Sequence, residues 1–294
     1  MVEVRVPAKV NLQLAVGGAG ADGYHDIATV FQAVAVYDHV FAEPGDGVSV
    51  QVEGSAEVPT GSDNLAVRAA KALAEHADVS CDVSLRIRKQ IPVAAGMAGG
   101  SADAAGALLA CDALWGLHTP RDELETLAAG LGADVPFALL GGTALGTGRG
   151  DRLTPVLAAG SYQWVFAVSD SALSTPLVYA ELDRLREGSV LPEPAVTDRM
   201  LTAVRRGDAV ELGKCLRNDM QRAAVSLRPQ LQLVLEVAEE YGALGAIVSG
   251  SGPTVACLAR DEEHALDLAV ALTASGVCPK VLRANGPVPG ARLV

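Results

Sequence analysis

Apolar and polar side chains alternate through residues 3–6, 12–16, 30–36 and 48–52, with β-branched valines prominent and glycine-rich turns between the runs. A period of two sends successive side chains to opposite faces of a strand, so the pattern predicts four strands here. From 65 to 76 the apolar positions take helical spacing, with Ser62 and Asp63 ahead of them as capping residues. Val83, Leu85 and Ile87 then alternate with Ser84, Arg86 and Arg88, predicting a strand over 83–91 that stops at Pro92. A glycine-rich loop leads into an alanine-rich helix over 101–114, and Thr119 with Pro120 opens another helix.

After a turn-dense stretch from 141 to 155 the rhythm changes. The spacing predicts a strand at 164–168, helices near 178–186, 208–220 and 230–241, then strands at 246–249 and 254–259 across the turn Gly250-Ser251-Gly252-Pro253. A helix over 262–274 and a last strand close the chain. At 294 residues the chain exceeds an average domain. Two α+β units are therefore expected, 1–155 and 156–294, with the turn-dense stretch as their junction.

Composition narrows the function. Half of the residues are hydrophobic and 20% are charged, which excludes a disordered chain and predicts a well-buried enzyme or binding protein. A formal net charge of −12 with only 4% aromatics opposes nucleic-acid binding, although backbone N–H groups and one lysine suffice for a nucleotide's phosphates. The five cysteines are scattered and form no Cys-x-x-Cys pair, so neither a disulfide framework nor a zinc site is indicated and a reducing cytosol fits. The apolar run at 10–16 is broken by Asn11 and Gln13 and is too short to span a bilayer, so no membrane association is expected.

Four segments carry candidate chemistry. The first is Pro92-Val93-Ala94-Ala95-Gly96-Met97-Ala98-Gly99-Gly100-Ser101-Ala102-Asp103, between a strand and a helix. Glycines allow close backbone approach, and a helix N-terminus adds partial positive charge, which suits the phosphates of a nucleotide. The segment is neither a Walker loop nor a Gly-x-Gly-x-x-Gly dinucleotide loop; its structural alternative is a tight strand-to-helix turn. The second is Ser249-Gly250-Ser251-Gly252, which a plain hairpin turn also explains. The third is Pro7-Ala8-Lys9-Val10-Asn11-Leu12 with Ala21-Asp22-Gly23-Tyr24-His25. A lysine in an apolar strand needs an anionic partner, or else it protects a sheet edge from aggregation. The fourth is Gly132-Ala133-Asp134-Val135-Pro136, whose aspartate serves either as a general base or as a helix N-cap.

In this order and at these separations the four segments resemble the GHMP kinases, named for galactokinase and the homoserine, mevalonate and phosphomevalonate kinases, and the likeness covers nearly the whole chain. The resemblance implies an N-terminal domain of the ribosomal-S5-domain-2 type, a ferredoxin-like C-terminal domain and an active site in the cleft between them. It further implies ATP as phosphoryl donor, Mg2+ as the usual companion ion, Asp134 as catalytic base and Lys9 as its partner and charge stabiliser. Residues Pro92 to Ala102 would wrap the ATP phosphates. The combined motifs are most similar to the branch whose small-molecule acceptor carries a cytidine diphosphate moiety. There, Asn11, Tyr24, His25, Thr175 and Tyr179 would line the cytidine pocket, with Tyr24 and Tyr179 gripping the ring's two faces and His25 reading its polar edge. Ser249, Gly250, Ser251 and Gly252 would close on the substrate phosphates. The usual family loop reads Gly-Leu-Gly-Gly-Gly-Ser-Ser-Asp; here Met97, Ala98 and Ala102 replace the Leu, one Gly and the second Ser, which leaves the protein group that contacts the metal open. A cytoplasmic monomer or weak homodimer is expected. A homoserine- or mevalonate-type kinase and a non-catalytic nucleotide sensor are the competing readings; the aromatic residues oppose the first and the Lys9 and Asp134 pair opposes the second. An RNA-binding role for the S5-like domain founders on the charge.

Overall fold

Two long antiparallel strands, β1 (Val2–Ala19) and β2 (His25–Pro44), form the backbone of the computed structural model, which describes residues 1–20, 23–54 and 58–294. Ala21 and Asp22 of the turn motif lie outside the described residues. Then follow β3 (Val48–Glu53), α1 (Leu65–His76), β4 (Val83–Arg88), α2 (Gly99–Trp115), α3 (Arg121–Leu131), α4 (Val135–Leu140), β5 (Thr143–Gly148) and β6 (Arg152–Pro155). The remainder comprises β7 (Tyr162–Val168), α5 (Thr175–Leu185), α6 (Asp198–Arg206), α7 (Ala209–Cys215), β8 (Arg217–Asn218), α8 (Gln221–Leu227), α9 (Gln230–Glu240), β9 (Gly245–Val248), β10 (Val255–Ala259), α10 (Glu262–Ala274), β11 (Lys280–Gly286) and β12 (Arg292–Leu293).

The first four predicted strands condense into three because β1 is continuous through residues that break the alternation. Register shifts between Pro7 and Ala8 and between Asn11 and Gln13 are bulges that absorb the polar side chains without ending the ladder. From Val6 to Leu14 every residue is buried, so both faces of β1 are covered and period two is lost. The outer edge of β2 is shared: residues 39–44 pair with β4 and residues 27–32 with β5. The stretch expected to be a domain junction is therefore a hairpin, β5 with β6, of the first sheet. Its glycines, four of them at positive φ, signalled turns so strongly that the short ladder beside them was not legible.

Two helices explain how the core is filled. α2, rich in alanine, lies against β1 and β2 so closely that a Cβ on Gly106 would stand 2.6 Å from a Val40 methyl and 2.9 Å from one on Val6. Alanines and Gly106 on that helix are what allow the approach. α1 is capped by Asn64, whose Oδ1 accepts from the N–H of Ala66 at 2.8 Å; the cap thus falls one residue beyond the predicted Ser62 and Asp63.

The second sheet is antiparallel in the order β11-β7-β10-β9, with β7 and β10 central. The single helix predicted over 208–220 is divided: α7 stops at Cys215, and Arg217 and Asn218 run parallel to Gln13 and Leu14 of β1 as β8. α6 and α8 went unpredicted, being short and flanked by irregular chain. β8 and β12 both join the first sheet although they come from the second half of the chain. One core cluster runs without interruption from β1 and α2 to Trp164 and Phe166 on β7. The indole of Trp164 donates to Gln32 Oε1 at 3.0 Å, tying the sheets together.

Candidate active site

Where the sheets meet, a cavity of about 740 Å³ opens between β1, the loop before α2, the start of α4 and the turn after β9. Most of the sequence-predicted residues converge on it: Lys9, Asn11, Ala94, Ala95, Gly96, Ala98, Gly99, Gly100, Ser101, Asp134, Thr175, Tyr179, Gly250, Ser251 and Gly252 all line the wall.

The glycine loop reaches its shape through positive φ at Ala94, Gly96 and Ala98. Ala98 is the N-cap of α2 and contributes no side-chain hydrogen bond, so the first-turn N–H groups have no partner inside the helix or from its cap. Ser101, the expected first residue of the helix, sits within that first turn, since α2 already begins at Gly99. The loop carbonyls are held from two sides. Met97 O accepts from Lys9 N at 3.3 Å, while Gly96 O accepts from the Ser249 hydroxyl at 2.9 Å and Ala95 O from Thr254 N at 3.4 Å. Ser249 is thus a loop anchor, buried behind the cavity. Pro92, Val93, Met97 and Ala102 are absent from the lining, and the Met97 and Ala102 side chains are wholly buried in the core. The turn after β9 is fixed in turn by Asn218, whose Nδ2 donates to Val248 O and Gly250 O, both at 2.7 Å.

Opposite the glycine loop, Lys9 Nζ stands 3.7 Å from Asp134 Oδ2 and donates to Asn11 Oδ1 at 2.7 Å. Asn11 donates onward to the Thr29 hydroxyl at 2.8 Å, which donates to Gln13 O at 2.7 Å. This buried chain of polar groups fixes the ammonium, which also lies 5.5 Å from the centre of the Phe31 ring. Lys9 is no edge residue, for β1 is flanked by other strands and the side chain is 8% exposed. Asp134 is at the N-cap position of α4 yet makes no capping hydrogen bond, leaving its carboxylate, one-third exposed, directed to Lys9 and the cavity.

The aromatic residues are arranged differently from the expected two-faced grip. His25 itself stacks on Tyr179, centroids 4.6 Å apart at 23°, and its Nε2 is 2.8 Å from Asp183 Oδ1. Tyr24 is 58% exposed, with the Arg149 guanidinium 5.2 Å from its ring centre. Neither Tyr24 nor His25 lines the cavity. Thr175, at the start of α5, and Ser251 share a hydroxyl contact of 2.8 Å that joins that helix to the turn after β9.

Sequence reasoning missed three features. Arg149, in the turn between β5 and β6, is with Lys9 one of two cationic side chains on the described wall; its signal was an arginine between glycines in a turn. Asn218 gave no signal, because its loop was read as helix. Behind the glycine loop, Lys89 Nζ is buried against Asp38 and Asp103; its signal was its place in step with Val83, Leu85 and Ile87 on the inward face of the strand.

A glycine loop at the head of a buried helix, faced by a lysine and aspartate pair, defines a phosphotransferase site of the GHMP class, and the family models described as GHMP kinases N terminal domain and GHMP kinases C terminal match residues 64–142 and 200–278. A 4-diphosphocytidyl-2-C-methyl-D-erythritol kinase of Streptomyces avermitilis is 56% identical over all of this chain and 99% of its own length. One of Mycobacterium tuberculosis is 52% identical, with 93% of its length covered. A crystal structure of 4-(cytidine 5'-diphospho)-2C-methyl-D-erythritol kinase superimposes with a TM-score of 0.78 at 34% identity, covering 96% of this chain and 98% of that one. The chain belongs to the 4-diphosphocytidyl-2-C-methyl-D-erythritol kinase family of GHMP kinases. It is an ATP-dependent small-molecule kinase with the two-domain fold of that class. Among the described residues no helix is long and apolar enough to cross a membrane.

Proposed function

We propose that the protein transfers the γ-phosphoryl group of ATP to the 2-hydroxyl of 4-diphosphocytidyl-2-C-methyl-D-erythritol, giving the 2-phosphate and ADP in the non-mevalonate route to isoprenoid precursors. The carrying observation is the Lys9 and Asp134 pair, 3.7 Å apart, in the same cavity as the glycine loop. The identity to the relatives described above supports this acceptor over homoserine or mevalonate.

In this reading the free N–H groups at the head of α2 and the loop backbone bind the ATP phosphates. Asp134 takes the proton as the acceptor oxygen forms its bond to the γ-phosphorus and the bond to the β-phosphate oxygen breaks. Lys9 keeps Asp134 oriented and offsets charge on the transferred group. Among the described residues there is no cluster of three or more potential metal-binding side chains, which suits an ion carried mainly by nucleotide phosphates. The Ser101 hydroxyl, on the glycine-loop wall, is the oxygen that would help hold Mg2+ there. Held there, magnesium would supply neutralisation of the phosphate charge. Tyr179, supported by the His25 ring stacked on it, is the surface beside which the cytosine would lie, in the cavity that Asn11 and Thr175 also line, with Gly250, Ser251 and Gly252 toward the acceptor phosphates. We place the enzyme in the cytoplasm as a monomer or weak homodimer.

A coupled ADP-release assay with the cytidine diphosphate acceptor, mevalonate and homoserine tests the acceptor, and turnover confined to either of the latter two would refute it. Asp134→Asn tests the base: turnover is expected to fall by about 10²–10⁴ with ATP binding kept. Near-parental turnover in that variant would demote Asp134 to a structural residue.

A further inference from the structure

We infer that Lys89 and Asp103 are positioning residues for ATP, clamping the first turn of α2 to the first sheet so that its free N–H groups stay aimed into the cavity. The inference rests on the glycine loop being the cradle for the ATP phosphates. Lys89 lies just beyond β4, and three acceptors surround its ammonium. It donates to Asp103 Oδ2 at 2.8 Å, to Gly99 O at 3.2 Å and to Asp38 Oδ2. Gly99 and Asp103 bracket the first turn of α2, whereas Asp38 belongs to β2. Asp38 is anchored in its own right, its Oδ1 accepting from the N–H groups of Gln90 at 2.6 Å and Ile91 at 2.9 Å. The three side chains are almost fully enclosed, at 3%, 0% and 3% exposure for Lys89, Asp38 and Asp103.

Such a cluster is a costly way to hold a helix. Two buried carboxylates face one buried ammonium, and Asp103 Oδ1 has no hydrogen-bond partner. Burial, opposed by Lys89 and reinforced by Asp38, pushes the Asp103 carboxyl up to about 7. Apolar residues of the same volume would pack this spot at lower cost, so a requirement other than stability accounts for the charges. The head of α2 supplies that requirement. It has no side-chain cap, because its N–H groups must remain free for ligand, and so the usual restraint on a helix start is missing. Lys89 restrains the turn from behind, through a carbonyl and a carboxylate that point away from the cavity. The fit is close: a Cβ on Gly99 would come within 3.2 Å of Lys89 Nζ.

Asp103→Leu is the decisive variant, since it removes the carboxylate half of the clamp, leaving Lys89 paired with Asp38 and bonded to α2 through Gly99 O alone. The KM for ATP should rise at least ten-fold while the KM for the cytidine diphosphate acceptor stays within two-fold. Asp103→Asn, which keeps an acceptor oxygen for Lys89, should restore most of the ATP affinity. In amide hydrogen exchange without nucleotide, the segment at the head of α2 should exchange faster in the leucine variant while the rest of α2 is unchanged. An unchanged KM for ATP and unchanged exchange at that turn would overturn the inference. So would a parallel rise of both KM values with a lowered melting temperature, which marks a merely structural role. If ATP does not protect the glycine loop of the parent protein from exchange, the placement of the nucleotide fails, and the inference falls with it.

Discussion

Gly96 is where the two loops of the site come closest, and replacing it with alanine isolates what that contact is worth. Its φ of +74° lies in the left-handed region, which costs a residue with a Cβ roughly 1–2 kcal/mol. The added Cβ would stand 2.2 Å from Ser249 O, 3.0 Å from Gly252 O and 3.2 Å from Gly252 N. All three are backbone atoms, so no side chain can swing aside. Restoring an ordinary contact moves Ser249 O away by about 1 Å, which stretches the bond from the Ser249 hydroxyl to Gly96 O from its present 2.9 Å beyond a useful length. The bond from Thr254 N to Ala95 O, already 3.4 Å, breaks with it. At about 0.5–1.5 kcal/mol for each hydrogen bond, the sum is about 2–5 kcal/mol, centred on the glycine-loop wall. If half of this must be restored when nucleotide binds, the KM for ATP rises roughly five- to sixty-fold. Steady-state kinetics with ATP varied, beside a thermal melt, measure both parts. Gly160→Ala is the control: Gly160 has φ of +72° but nothing within 4 Å of its Cβ, so it carries the backbone cost alone. A Gly96→Ala protein with parental KM for ATP, and a melting temperature no lower than that of Gly160→Ala, would refute the reasoning.

Two further outcomes follow from the opposite wall. Lys9→Met should lower kcat by more than it weakens ATP binding, because the ammonium is needed most as charge redistributes in the transition state; equal losses in kcat and ATP affinity, or no loss in a folded variant, would contradict its role. Tyr179→Ala should weaken the cytidine acceptor about ten-fold, base stacking being worth roughly 1–3 kcal/mol, and it also removes the ring that supports His25; titration with acceptor and with ATP should show the former shifted and the latter unmoved.

Legibility in the sequence followed the kind of signal each part carries. α1, α2 and α10 declare themselves because apolar spacing, alanine content and glycine punctuation agree, and their observed starts and ends lie within two residues of those expected. β1 and β2 were legible as strands but not as two ribbons of 18 and 20 residues, since burial on both faces erases alternation. The glycine loop, Lys9 and Asp134 were found from motif order, and their convergence into one cavity needed the fold. Lys89 was overlooked because of its charge: it continues the inward parity of Val83, Leu85 and Ile87, opposite Arg86 and Arg88, and its carboxylate partners Asp38 and Asp103 come from distant parts of the sequence. The mutual positions of Tyr24, His25 and Tyr179 were beyond sequence reasoning for a similar reason, because α5 approaches β2 only in the folded chain and brings Asp183 to His25.

A chain with a net charge of −12 that takes a triphosphate together with a diphosphate-bearing acceptor must separate its global field from its local one. It does so with dipoles and only sparingly with charges. The described wall carries two cationic side chains, and one of them, Lys9, is already engaged by Asp134. On the proposed function the remaining attraction comes from backbone N–H groups at the head of α2 and along the loop at positive φ, acting at short range while side-chain charges more than a Debye length away are screened. Backbone donors cannot swing out of place as lysines can, so the geometry that binds is also the geometry that orients. Their direction, however, is only as good as the support behind them. Ser249 and Asn218 secure the loop from the second sheet and Lys89 secures the helix from the first. On the proposed function, residues outside the cavity wall therefore govern how well the phosphates are held.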